Sequence, residues 1–315
     1  MKIVVLDGFT LNPGDLSWSF LESFGKYEIY DRTSPEQVVE RVADAEIVLT
    51  NKVVITPDHL EDIPSLKYIG VLATGYNVVD LDACRSRGIT VTNVPGYSGM
   101  SVPQLIFSLL LEIANRVDLH SQSVHAGEWS SCVDFCYMKT PQLELDGLTF
   151  GLIGYGNIGM KTAAIAESFG MKVLVSSRTK KELPFGEFVE LEQLYAKADV
   201  ISLCCPLTDS THEMINKDSI ARMKDGVIII NTGRGPLINE QDVADALESE
   251  KLGALGADVL STEPPSPDNP LIGAKNAFIT PHYAWATSAA RKRLISTVES
   301  NIKAFVDGNP VNVVS

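Results

Sequence analysis

A chain of 315 residues that is 45% hydrophobic and 21% charged has the length for two domains and the composition of an ordinary globular protein. Its formal charge of −14, from 40 acidic against 26 basic residues, repels polyanions and excludes nucleic acid as a partner. The apolar stretch 105–111 is interrupted by Ser108 and stops at Glu112, too short for a bilayer, and Met1-Lys2 runs into an apolar strand rather than a signal-peptide core. No membrane association is expected, and a cytoplasmic location is.

Short β-rich runs alternate with helical stretches from end to end, the pattern of α/β layering around parallel sheets. In the first third, strands are predicted at 3–6, 28–31, 46–50, 67–72 and 89–94, with an amphipathic helix at 35–45 opened by Pro35. None of these strands feeds a glycine fingerprint, so this unit reads as doubly wound without a dinucleotide. Residues 98–124 read as one long helix, rich in Leu and Ile with few breakers after Pro103. The irregular stretch 127–145 carries Trp129, Cys132, Phe135, Cys136 and Tyr137. A loop of that length is either functional or packed on a partner subunit.

A second α/β unit has strands at 148–153, 172–176, 199–204, 226–231, 254–259 and 277–280. The tail from Ala286 is helical and too short to be a domain, so it is expected to return to the first unit. The predicted architecture is α/β with two doubly wound domains. Residues 1–98 and 286–315 form a substrate domain, and residues 99–285 form a dinucleotide-binding domain inserted into it. The five cysteines (Cys84, Cys132, Cys136, Cys204, Cys205) are odd in number and lack paired metal-ligand spacing, so free thiols and no metal are expected.

Gly154-Tyr155-Gly156-Asn157-Ile158-Gly159 lies between an apolar strand and a helical stretch at 158–169. In that context Gly154 permits the tight turn, Gly156 lets a diphosphate approach the backbone, and Gly159 lets helix and strand pack closely. The diphosphate is expected on the helix N-terminus at Asn157 and Ile158, where N–H groups and the helix dipole favour negative charge. A site for NAD places Asp or Glu roughly 20 residues further on, to bond the ribose 2′-hydroxyl. This chain has Ser177, Arg178 and Thr179 there, followed by Lys180 and Lys181, and its first acid is Glu182. A hydroxyl followed by a guanidinium suits a 2′-phosphate, which a carboxylate would repel. NADP(H) is the expected cofactor; a merely solvated basic turn would leave NAD(H) possible.

Behind the fingerprint come Arg234 in Asn231-Thr232-Gly233-Arg234-Gly235, Glu263 in Thr262-Glu263-Pro264-Pro265, and His282 in Thr280-Pro281-His282. Arg234 and His282 each follow a strand, at the edge where open α/β sheets bind ligands. The guanidinium can clamp a carboxylate through two parallel hydrogen bonds. The imidazole can exchange a proton with a ketone oxygen near neutral pH. Glu263 would fix the imidazole and favour its protonated form. Together with a dinucleotide these groups suit reversible hydride transfer to a 2-oxo acid.

The order Arg, Glu, His behind the fingerprint, at spacings of 29 (263 − 234) and 19 (282 − 263), resembles the D-isomer-specific 2-hydroxyacid dehydrogenases over essentially the whole chain. Leu6-Asp7-Gly8, Asn51-Lys52-Val53, Ala73-Thr74-Gly75-Tyr76-Asn77 and 93–98 are similar to the D-glycerate dehydrogenase (hydroxypyruvate reductase) branch. So are Asp134-Phe135-Cys136 and the run from His282 to Thr287.

The resemblance implies that Arg234 binds the substrate carboxylate and 2-oxo group, His282 is the acid/base and Glu263 assists it. The N–H groups of Thr74 and Gly75 would hold the carboxylate from the substrate domain, beside Asn51 and Lys52. Asp258 would bond the nicotinamide carboxamide, and Thr232 and Pro206 would line the ribose and ring. A Rossmann domain inserted into a flavodoxin-like one is implied, as are a homodimer and domain closure around the substrate. Pro103 and Leu105 stand where the family usually has Ala and His, and Cys205 replaces a common His. The expected activity is reduction of hydroxypyruvate to D-glycerate, with glyoxylate as a second substrate. The alternatives are another D-2-hydroxy acid, or a dinucleotide-sensing scaffold that binds cofactor without turnover.

Overall fold

In the first strand, β1 (Lys2–Val5), Ile3 and Val5 pack into one apolar cluster while Val4, with Leu6 just beyond the strand, packs into another. All four side chains are fully buried. A strand covered on both faces belongs in a parallel sheet layered by helices, and the computed structural model, which describes all 315 residues, has two such sheets. The chain divides into two compact units, Met1–Gly99 with Trp285–Ser315, and Met100–Ala284.

The first unit adds β2 (Lys26–Ile29), β3 (Ile47–Thr50), β4 (Tyr68–Val71) and β5 (Thr90–Thr92) in the order β2-β1-β3-β4-β5, every pair parallel. That is the flavodoxin-like order. One face is covered by Val38, Val42 and Leu60. The other is covered by Leu294, Val298 and Ile302 of the helix Ser288–Val306, so the tail does return to this unit. Arg291 from that helix makes two 2.6 Å bonds to the carboxylate of Asp15. Tyr68 packs against Phe305 at 4.7 Å between ring centroids, and burial pushes its phenol up to about 12. The helix predicted at 35–45 is shorter, a 3-10 turn Pro35–Gln37 leading into Val38–Val42.

The second unit has β6 (Thr149–Ile153), β7 (Lys172–Ser176), β8 (Glu187–Phe188), β9 (Val200–Leu203), β10 (Val227–Asn231), β11 (Leu252–Ala257) and β12 (Ala277–Ile279). They lie in the order β12-β11-β10-β9-β6-β7-β8, all parallel. Strand order reverses beside β6, which opens a crevice at its carboxyl end. Glycines keep the crossover helix Asn157–Ser168 close: a Cβ at Gly159 would meet the carbonyl oxygen of Gly154 at 2.4 Å.

The long helix predicted over 98–124 is two helices, Ser101–Asn115 and Val117–His125, because Arg116 adopts a left-handed φ of 50°. Its guanidinium lies over the Phe278 ring at 4.9 Å. The carbonyl of Ala114 accepts from the N–H of Leu143 rather than continuing the helix. The stretch 127–145 is irregular as expected. It is organised by bonds from Trp129 Nε1 to the Phe135 carbonyl and between the hydroxyls of Ser123 and Tyr137. No helix is long and apolar enough to cross a membrane.

Candidate active site

The fingerprint turns sharply out of β6. Gly154 has φ +99°, and a Cβ there would lie 2.7 Å from backbone atoms of Cys204 and Cys205, so only glycine fits the turn. Gly156 caps the helix Asn157–Ser168 in an extended conformation. The first N–H groups of that helix, on Asn157, Ile158 and Gly159, have no acceptor within it. A cleft of about 430 Å³ opens in front, lined among others by Gly154, Gly156, Ser177, Arg178, Thr179, Lys181 and Pro206. No Asp or Glu lines it, although the chain carries 40.

A diphosphate ligand fits this cleft: an open glycine at its floor, a helix N-terminus beside it and cations at its rim. Asn157, Ile158, Gly159, Thr232 and Asp258 lie outside the cleft lining. Cys204 and Cys205 line its wall, where desolvation pushes the Cys204 thiol up to about 12 and raises Cys205 as well. Both are therefore protonated walls rather than nucleophiles. All five cysteines are free.

Arg234, Glu263 and His282 follow β10, β11 and β12, three neighbouring strands, so the parallel sheet delivers all three to one edge. His282 Nδ1 lies 2.6 Å from Glu263 Oε2, and Glu263 Oε1 accepts the N–H of Leu260 at 3.1 Å. A carboxylate at Nδ1 makes that nitrogen the N–H donor and leaves proton exchange to Nε2. His282 itself has φ +49°, a left-handed conformation uncommon outside glycine. Arg234 is exposed, and its guanidinium bonds the Gly233 carbonyl at 2.8 Å. No carboxylate is paired with it. The turn that carries it is built by Asn231, fully buried, whose side chain donates to the Arg234 carbonyl and accepts from the N–H of Gly233. Sequence reasoning did not single out Asn231.

Asp258, assigned to the cofactor carboxamide by resemblance, is only 1% exposed. Its Oδ1 accepts from the Thr280 hydroxyl at 2.6 Å and the Tyr283 N–H at 3.1 Å, and its Oδ2 from the Ala284 N–H at 2.9 Å. Burial raises its carboxyl above the ordinary range, against the lowering effect of those bonds.

In the first unit, Asn51, Lys52, Thr74 and Gly75 lie just beyond β3 and β4. The Asn51 side chain is buried and bonds the Thr10 hydroxyl at 2.9 Å. Asp7 accepts the backbone N–H groups of Asn51, Lys52 and Val53, an organising role that sequence reasoning missed. Thr74 uses its hydroxyl on the Val94 carbonyl, and the N–H groups of Thr74 and Gly75 are left without acceptors within the unit.

The sequence profile of the D-isomer specific 2-hydroxyacid dehydrogenase NAD binding domain matches residues 107–284. The chain is 51% identical to a hydroxypyruvate reductase of Blautia hydrogenotrophica over 100% of both chains. It is 38% identical to a glycerate dehydrogenase of Methylorubrum extorquens, covering 99% of this chain and 98% of that one. The solved apo-structure of D-lactate dehydrogenase from Escherichia coli superposes with a TM-score of 0.89 at 28% identity, covering all of both chains.

Proposed function

The chain belongs to the D-isomer-specific 2-hydroxyacid dehydrogenases, a family of nicotinamide-dinucleotide oxidoreductases, and from that premise we propose that it reduces hydroxypyruvate to D-glycerate, and glyoxylate to glycolate, with NADPH. The observation that carries this reading is the 2.6 Å pairing of His282 with Glu263 on the sheet edge that also bears Arg234. A reduced nicotinamide, when bound, supplies the hydride for the 2-oxo carbon. Arg234 holds the substrate carboxylate and oxo group through its planar fork. Glu263 balances the charge of the protonated His282 ring, which gives its Nε2 proton to the oxo oxygen and is left neutral. In the first unit, Thr74 and Gly75 carry two backbone N–H groups suited to a carboxylate, with Asn51 and Lys52 on the adjoining loop.

Fingerprint residues Gly154, Gly156, Asn157, Ile158 and Gly159 cradle the diphosphate. Ser177, Arg178 and Thr179 take the 2′-phosphate, Pro206 and Thr232 flank the ribose and ring, and Asp258 lies at the nicotinamide end. The acid-free rim with Arg178 and Lys181 supports NADP(H) over NAD(H). A homodimer belongs to the same reading, supported by Val133, Phe135 and Met138, which are 102%, 89% and 75% exposed on the stretch 127–145.

The test is product analysis. Hydroxypyruvate with NADPH should yield D-glycerate on chiral chromatography. L-glycerate, or a strong preference for a bulkier oxo acid, would overturn the stereochemical or the substrate assignment.

A further inference from the structure

Glu263 reaches His282 from a segment with no buried side chain of its own. Every residue from 261 to 268 is exposed, and the nearest buried apolar side chains are Leu260 and Leu271. Loops with so few buried contacts open at little cost, so the 2.6 Å pairing with His282 needs order from elsewhere. Glu240 supplies it. Its Oε1 accepts the Ser261 N–H at 2.7 Å, and its Oε2 accepts the Ser261 hydroxyl at 2.7 Å and the Asn269 side-chain amide at 2.8 Å. The donors lie on both sides of Glu263, so one carboxylate closes the segment around it. Glu240 itself stands on firm ground. Leu237 and Ile238 before it are buried, and the Asn239 N–H donates to the Ile215 carbonyl at 2.8 Å. Asn239 caps the helix Glu240–Glu248 by accepting the N–H of Asp242, and the helix dipole favours a carboxylate in that first turn. Arg234 lies six residues earlier on the same stretch (240 − 234). The backbone after it rests on the Glu263 segment, since a Cβ at Gly235 would run into the Leu260 carbonyl.

We propose that Glu240 is a positioning residue for Glu263: its carboxylate staples residues 261–269 to the stretch that bears Arg234, and so sets where Glu263 meets His282. Charge-assisted bonds are the strong ones, and three of them converge here. In Glu240→Gln one oxygen becomes an NH2 that cannot accept, so at least one of the three bonds is lost. In Glu240→Asp the charge stays, but the carboxylate draws back by one methylene from Ser261 and Asn269. The inference rests on His282 and Glu263 being the acid/base pair, so its test needs a readout other than turnover.

That readout is the low-field Nδ1–H resonance of His282 in ¹⁵N-histidine-labelled protein, assigned by its loss in His282→Ala. Turnover at saturation and the NADPH dissociation constant are measured alongside it. Glu240→Gln and Glu240→Asp should both broaden the resonance by exchange with water. Each should lower kcat by about tenfold, the effect of one lost hydrogen bond, with NADPH binding unchanged. In a Glu263→Gln background, Glu240→Gln should lower kcat by less than about twofold further, because a residue that acts through Glu263 then has nothing left to position. A further tenfold loss in that background would overturn the proposal and make Glu240 a structural residue independent of the pair. So would an unaltered resonance in both Glu240 variants. A resonance altered in Glu240→Gln alone would also overturn it, assigning the effect to the lost charge. If the unmodified protein reduces no 2-oxo acid, the functional reading fails, and the resonance alone still decides whether Glu240 holds Glu263 against His282.

Discussion

Gly156→Ala should move stability and cofactor affinity in opposite directions. Gly156 has φ −84° and ψ −164°, extended backbone open to any L-residue, and a Cβ built there meets no atom within 4 Å. Alanine at a compatible position restricts the unfolded chain and stabilises by about 0.4–1 kcal/mol. For a unit the size of Met100–Ala284 that raises Tm by about 1–4 °C. The same methyl stands where the diphosphate must approach. Overpacking against a ligand with nowhere to go costs about 1–3 kcal/mol, a loss of about 5- to 150-fold in affinity.

Thermal unfolding without cofactor and a fluorescence titration with NADPH measure the two effects separately. Gly154→Ala is the contrast: its positive φ and the 2.7 Å approach to the backbone at Cys204 should lower stability and affinity together. An unchanged NADPH dissociation constant in Gly156→Ala would show that the diphosphate does not cross this turn.

Arg234→Lys should lower kcat/KM by at least about 100-fold with NADPH binding nearly unchanged, because an ammonium lacks the bidentate fork; single-turnover rates and a cofactor titration check the split. Arg178→Ala should reduce kcat/KM for NADPH by about tenfold or more and leave that for NADH unaltered, as expected for loss of a charge-assisted bond to a 2′-phosphate; equal losses would place Arg178 outside the ribose site. The Arg291 guanidinium holds the Asp15 carboxyl below its ordinary range, so the pair contributes stability above that range and loses it as pH falls through the lowered value. Asp15→Asn should therefore lower Tm at pH 7, and the difference from the unmodified protein should close in acid; a deficit that persists at low pH would assign the loss to packing.

Strands were legible because a parallel sheet covered on both faces demands continuous apolar runs, as at Ile47–Thr50 and Val227–Asn231. Where tertiary contacts decide, the sequence is silent. Nothing local at Arg116 signals a left-handed residue: the break depends on Phe278 and Leu143, distant in the chain. The strand β8 is two residues long and pairs with β7 only through Glu187 and Phe188, too short for any periodicity to register. The Glu263–His282 pair was legible from residue types and spacing. The carboxylates that build the loops were not, because Asp7 and Asp258 bond backbone N–H groups 44–46 and 25–26 residues away. Backbone donors carry no side-chain signature, so such organisers emerge only from coordinates.

The measurement closest to the central claim is the initial rate of NADPH oxidation, then NADH oxidation, against hydroxypyruvate, glyoxylate, pyruvate and phenylpyruvate. Fastest turnover of hydroxypyruvate with NADPH, abolished in His282→Ala, is the result the account predicts. Tight NADPH binding with no oxidation on any of the four acids would contradict it and leave a protein that senses the dinucleotide without using it.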